Sequence, residues 1–162
     1  SKGEYIGLDY SITRNANIVG SASCMPIRSD SISNILCFEV LEHTNNPYKV
    51  ISEFSRVLHE DGIVILTTPM CWSLHYEPYD YFRFTKHGFK FILERGGFEV
   101  VETLANGGKW ATLGQMIIHT FPSFIIKYAR ERQLINVIFD KLDNKYYNDY
   151  NTMNYVIVAK KV

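Results

Sequence analysis

The sequence predicts an α/β protein with a doubly wound, mostly parallel sheet. Three observations carry this. A short apolar run, Asn34 to Phe38, leads through an amphipathic helix into a β-branched run, Ile63 to Thr67; a crossover of this length implies parallel pairing. Two shorter apolar runs, Tyr5 to Leu8 and Ala16 to Gly20, precede it. Polar and ionisable groups then stand where the strands end: Asp9 after the first run, and Glu39, Glu42 and His43 after Phe38. Ligands of open α/β sheets sit beyond the carboxyl ends of the strands, which makes these residues site candidates. Acidic residues also favour turns and first helical turns, so capping is the competing reading.

Taken in order, Tyr5 to Leu8 reads as a buried strand ending on Asp9, whose carboxylate could accept ribose hydroxyls or simply hold a turn. Ala16 to Gly20 gives a second strand, and the small residues Ser21, Ala22 and Ser23 that follow either admit a flat ring or form an ordinary turn before Pro26. Asn34 to Phe38 is uncharged and reads as a buried strand. Asn46 is a helix cap with Pro47 at the first helical position. Val50, Ile51, Phe54, Val57 and Leu58 then form one apolar stripe, with Lys49, Glu53 and Arg56 off it. Gly62 is expected to close this helix in a left-handed turn, and Ile63 to Thr67 to be buried on both faces.

The chain is long enough for one domain with a sizeable core, residues 1–162, with a helical insertion at about 105–153. Lys plus Arg and Asp plus Glu number 17 each, and no dense basic run argues for nucleic acid. Three cysteines without metal-like spacing suggest reduced thiols and a cytoplasmic location. The five histidines are scattered, so no metal site is expected. No apolar run is long enough to span a bilayer.

After Pro69 comes an aromatic-rich loop, Cys71 to Thr85, holding His75, Tyr79, Asp80 and Arg83. Loops at this edge meet substrates. Equally, Asp80 and Arg83 can pair to pin the loop while Thr85 caps the helix Lys86 to Arg95. Gly96-Gly97 ends that helix, and Phe98 to Leu104 and Asn154 to Ala159 read as further strands. Between them, Trp110 to Thr120 reads as a helix. Phe124, Ile125, Tyr128, Ile135, Ile138, Phe139 and Leu142 fall largely on one face of another, which packs on its own domain or forms a homodimer surface over 121–142, a lid over the active site or a membrane-surface face.

The ordered set Gly-Leu-Asp9, Val-Gly-Ser-Ala22, Met-Pro26, Ile-Leu-Cys-Phe-Glu-Val-Leu-Glu-His43, Arg-Val-Leu-His-Glu-Asp-Gly62 and Leu-Thr-Thr-Pro69 resembles the class I S-adenosylmethionine-dependent methyltransferases, small-molecule branch. The resemblance covers roughly Glu4 to Val101. It implies a Rossmann-like sheet with an antiparallel last strand and S-adenosylmethionine as cofactor. It also implies Asp9 on the ribose hydroxyls, Tyr10 against the adenine, Ser21, Ala22 and Ser23 at the adenine edge, and Phe38 and Glu39 beside the methionine part. His43 would line the pocket floor, with Glu42 supporting the loop. The pattern from His75 to Thr85 resembles one in members linked to sugar or surface-glycan metabolism, which makes a small-molecule acceptor of that kind the expected substrate and His75, Tyr79, Asp80 and Arg83 the residues that meet it. His43 and His75 are the candidates for a base toward an alcohol acceptor.

One element of the resemblance is not found. The family's glycine-rich turn after its first strand has no counterpart, since Gly7 lies within a strand. The sequence therefore reads as starting at the family's second strand. The alternative to a working enzyme is a truncated or non-catalytic interaction module of the same fold.

Overall fold

The computed structural model describes residues 4–14, 16–121 and 129–162. Its framework is a four-stranded sheet in the order β3-β4-β6-β5. These strands are β3 (Ile32–Phe38), β4 (Leu58–Pro69), β5 (Phe98–Asn106) and β6 (Asn154–Lys161). β3 runs parallel to β4, with Leu36 opposite Ile65, and β6 is antiparallel to both β4 and β5. The predicted antiparallel last strand is thus an inner one. β1 (Leu8–Asp9) and β2 (Ile18–Val19) make a separate two-stranded parallel sheet. Both are shorter than predicted. The Asn17 side chain accepts the Gly7 amide at 2.8 Å, and the Gly7 carbonyl accepts from Asn17 and Ile18, so the approach to β1 is held by bonds outside a regular ladder.

α1 (Pro47–Val57) begins where predicted, the Asn46 side chain accepting the Lys49 amide at 3.1 Å. Its stripe of Val50, Ile51, Phe54 and Val57 is buried against Phe89, Ile92 and Leu93 of α2 (Lys86–Arg95) and the sheet. Thr85 caps α2 by accepting the Gly88 amide at 3.1 Å. The end of α1 departs from expectation: Leu58 already belongs to β4, and Asp61 (φ 63°), not Gly62, adopts the left-handed conformation. Gly62 is required for a different reason, since a Cβ there would lie 2.8 Å from the His59 carbonyl.

The strands are also less covered than their composition suggested. In β4, Val64, Leu66 and Thr68 are fully buried while Ile63 is exposed, an alternation of a sheet with one packed face. β3 behaves likewise, burying Cys37 and exposing Leu36 and Phe38. Register puts Cys37, Leu66 and Ile157 on the same, packed side. Burial pushes the Cys37 thiol up to about 12, which makes it an inert core group.

Glu53 and Arg56 are more than a solvated face of α1. Arg56 pairs with Glu53 (Nε–Oε1 2.8 Å) and donates to the carbonyls of Met25 and Ile27, while Glu53 accepts the Met25 amide at 2.7 Å. The pair thereby fixes the segment after β2. Arg56 holds the Glu53 carboxyl below the usual range.

Gly96, at the end of α2, packs directly against α1. A Cβ there would fall 2.3 Å from Ile51 Cγ2. Gly96→Ala should lower stability by about 1–3 kcal/mol through overpacking. Denaturant unfolding should show a reduced midpoint.

The 105–153 region folds as a hairpin of α3 (Lys109–Thr120) and α4 (Ala129–Lys145). Asp143, nearly buried, accepts the amides of Gly108 (2.6 Å) and Trp110 (3.1 Å) and so caps α3 from the neighbouring helix. Gly114 lies against Phe139. Ile135, Phe139 and Leu142 are half-buried, whereas Ile138 of the predicted stripe is exposed. Phe124, Ile125 and Tyr128 of that stripe lie outside the described residues.

Candidate functional site

The run from Val40 to Thr44 makes a single 3-10 turn, Leu41–His43, directly beyond β3. Leu41 is fully buried and anchors it. Before the turn, Glu39 takes a positive φ of 52°, an uncommon conformation for a residue with a side chain. It is held there from both ends of the residue: its amide donates to the Thr67 carbonyl (3.1 Å) and hydroxyl (3.2 Å), and its carboxylate accepts from Asn154 Nδ2 at 3.2 Å. Sequence reasoning missed these supports. Asn154 is 115 positions away, and only the pairing of β6 beside β4 brings it near.

The loop 71–85 docks on this turn. The amides of Tyr81 and Phe82 donate to the Glu42 carbonyl at 2.8 and 3.3 Å, and His43 Nδ1 bonds the Tyr79 carbonyl at 2.7 Å. Within the loop, Arg83 grips Asp80 with both guanidinium nitrogens, Nη1–Oδ1 2.5 Å and Nη2–Oδ2 2.7 Å. Asp80 also accepts the His75 amide at 3.0 Å. The Arg83 guanidinium beside it holds the Asp80 carboxyl well below the usual range. Arg83 reaches further to the Ser73 carbonyl at 3.1 Å. Asp80 and Arg83 therefore act on the loop itself, while Tyr76, Tyr79 and Tyr81 stay exposed around it.

This docking brings His75 to His43, with ring centroids 4.7 Å apart in an edge-to-face arrangement. The two imidazoles named from sequence, 32 positions apart in the chain, are thus neighbours. Beneath them lies Glu42. Its side chain is fully buried, His43 Nε2 is 3.7 Å from its Oε1, and neither carboxylate oxygen has a hydrogen-bond partner among the described residues. Burial, with the Glu39 charge adding to it, pushes the Glu42 carboxyl up to about 7. The expectation that Glu42 supports the loop is met through its backbone carbonyl. Its buried carboxylate had no signal in the sequence.

The remaining candidates stand at other strand ends. Asp9, half-buried, ends β1, its carboxylate accepting the Ser11 amide (3.0 Å), the Ser11 hydroxyl (3.4 Å) and the Thr13 hydroxyl (3.3 Å). The Ser11 amide is the main cause that keeps its carboxyl below the ordinary value. Tyr10 beside it is exposed. Ser21 to Cys24 form a tight turn after β2, with the Ser21 and Ser23 hydroxyls 2.8 Å apart and Ala22 half-buried against the core. Phe38 is half exposed at the end of β3. A surface cleft of about 420 Å³ lies elsewhere, between Tyr48, Arg56 and Arg95 of α1 and α2.

Residues 4–66 match the family model described as a methyltransferase domain. No curated protein matches. Among solved structures, the chain is similar to an S-adenosylmethionine-dependent methyltransferase from Archaeoglobus fulgidus, with 16% identity and a TM-score of 0.61, covering 96% of this chain and 75% of that one. It is similar to Haemonchus contortus phosphoethanolamine N-methyltransferase 2 in complex with S-adenosyl-L-methionine, with 17% identity and a TM-score of 0.54 over 88% of this chain and 36% of the other. The [4+2]-cyclase SpnF is also similar, with 15% identity and a TM-score of 0.56 over 92% of this chain; the chain spans only 57% of the cyclase. The inclusion of a cyclase shows that this fold serves more than one reaction. Residues 4–66 carry the methyltransferase-domain signature, and the chain as a whole has the fold of the class I S-adenosylmethionine-dependent methyltransferases.

Proposed function

We propose that this chain binds S-adenosylmethionine and takes part in methyl transfer to a small-molecule acceptor, with a sugar or surface-glycan precursor as the acceptor class. The observation that carries the reading is the methyltransferase-domain match over residues 4–66, whose strand ends carry Asp9, Ser21 to Ser23, Phe38 and Glu39. S-adenosylmethionine supplies an activated methyl group on a sulfonium, so the protein's task is to position the acceptor and exclude water.

In this reading Asp9 accepts the ribose hydroxyls, as its ionised carboxylate allows. Tyr10 and the Ser21–Ser23 turn border the adenine, while Phe38 and Glu39 flank the methionine part. The loop 71–85 forms the acceptor side: Asp80 and Arg83 fix its course, leaving Tyr79 and His75 to meet the acceptor. An apolar cleft of about 380 Å³ between Cys71, Trp110, Leu113 and Met116 lies next to the start of that loop and gives a bulky acceptor room. His43 and His75 are the groups placed to take a proton from an alcohol.

Calorimetric titration with S-adenosylhomocysteine tests the reading. Micromolar binding is expected, weakened at least tenfold by Asp9→Ala. Replacing both His43 and His75 by Ala should leave that binding in place while abolishing transfer to an alcohol acceptor. Absence of binding by the folded protein would instead favour the non-catalytic module.

A further inference from the structure

The Glu42, His43 and His75 cluster has a property that neither methyl transfer nor loop docking uses. One candidate ligand atom from each residue lies within 4.8 Å of the others. The three come from two segments that only the docking of the loop on the 3-10 turn brings together.

The hydrogen bonds around the rings set their tautomers. His43 Nδ1 meets the Tyr79 carbonyl at 2.7 Å, so it carries the proton and leaves Nε2 with a free lone pair. His75 Nδ1 meets the Ser73 carbonyl at 3.2 Å and lies 3.5 Å from Asp80 Oδ2, which gives it the same tautomer. Metal-binding histidines are oriented in this way, with the second ring nitrogen donating to a backbone carbonyl or carboxylate. Glu42 is the independent observation. A fully buried carboxylate whose two oxygens lack a hydrogen-bond partner among the described residues is costly to fold around, and a cation is one group that would satisfy it.

We propose that Glu42, His43 and His75 form a binding site for a divalent first-row transition metal ion. Two imidazoles and one carboxylate select this class over magnesium and calcium, which prefer all-oxygen sites. Three protein ligands also leave positions open for water or another oxygen ligand. Ligands of a tetrahedral zinc ion lie about 3.3 Å apart, given metal–ligand bonds of about 2.0–2.2 Å. The cluster must therefore contract by up to about 1.5 Å, with His43 Nε2 and Glu42 Oε1 already 3.7 Å apart. No local motif marks the site, because His75 stands 32 positions from His43. A cation and a proton compete for the same imidazole lone pairs, so the metal and base roles belong to different states of the protein.

The test uses the whole 162-residue protein, stripped with chelator, dialysed, and titrated with Co²⁺ and Zn²⁺ alone. One equivalent of Co²⁺ should bind with the visible absorption of a nitrogen- and oxygen-ligated ion, and Zn²⁺ should displace it. His75→Ala and Glu42→Gln should each weaken binding at least 30-fold, while His59→Ala and His87→Ala, outside the cluster, should leave it unchanged. Circular dichroism confirms that each variant is folded; His75→Asn serves as a second variant if His75→Ala is not. No stoichiometric binding by the folded protein, or binding indifferent to both His75 variants, overturns the proposal. S-adenosylhomocysteine binding is read separately on the stripped protein, so failure of the metal site is distinguishable from failure of the methyltransferase reading.

Discussion

Asp80→Ala should free the loop 71–85 from the turn beyond β3. The substitution removes both bonds to Arg83 and the acceptor of the His75 amide, and leaves the guanidinium only with the carbonyls of Trp72, Ser73 and Phe82. Breaking a fully buried pair costs about 3–5 kcal/mol. Arg83 is a quarter exposed, so water replaces part of what is lost and about 2–3 kcal/mol is expected. Because the loop is docked through the Tyr81 and Phe82 amides on the Glu42 carbonyl, hydrogen exchange at those two amides reports its release. Their exchange should accelerate roughly 30- to 150-fold, with little change in the amides of β4 and β6. Unchanged exchange would mean that the Asp80–Arg83 pair does not hold the loop.

The second large effect concerns Glu42 and has a defined pH dependence. Its folded carboxyl is raised to about 7 from an unbound value of 4.5. A raised folded value means that the native state binds a proton the unfolded chain releases. The stabilisation is full below about pH 4.5 and is lost as the pH rises through about 7. Across that window the protein should lose about 3 kcal/mol from this group, the free-energy equivalent of the shift. Glu42→Gln cannot ionise and removes the slope. In chelator-treated protein, Glu42→Gln should gain about 5–10 °C in Tm relative to the parent on going from pH 5 to pH 8. Identical pH profiles would contradict a buried, unpartnered carboxylate.

Much of the scaffold is legible in the sequence because local chemistry and packing agree there. Asn46-Pro47 starts α1, its stripe is the buried face, Thr85 caps α2, and β3 and β4 pair in parallel as the crossover requires. The errors arise where the signal was composition alone. The apolar runs of β3 and β4 suggested burial on both faces, but composition cannot tell which face receives helices, and Leu36, Phe38 and Ile63 are exposed. Gly62 was read as a left-handed residue when Asp61 takes that conformation and Gly62 answers a close backbone approach.

The candidate site was legible at its strand ends and not in its depth. Asp9 and Glu39 are visible because each follows an apolar run, and His43 because it follows a short acidic stretch. The Asp80–Arg83 pair could be anticipated from its spacing. The contact of His43 with His75, the buried Glu42 carboxylate and the hold of Asn154 on Glu39 depend on tertiary placement across long separations. No periodicity or turn chemistry reports such contacts.

Under the proposed function, the ends of β1, β2 and β3 form the cofactor cradle. The most direct measurement is amide chemical-shift mapping of the labelled protein during titration with S-adenosylhomocysteine. The account predicts saturable shifts at Asp9 and Tyr10, at Ser21 to Ser23, and at Phe38 and Glu39. Shifts confined to the cleft between α1 and α2, or none in a folded protein, would contradict it.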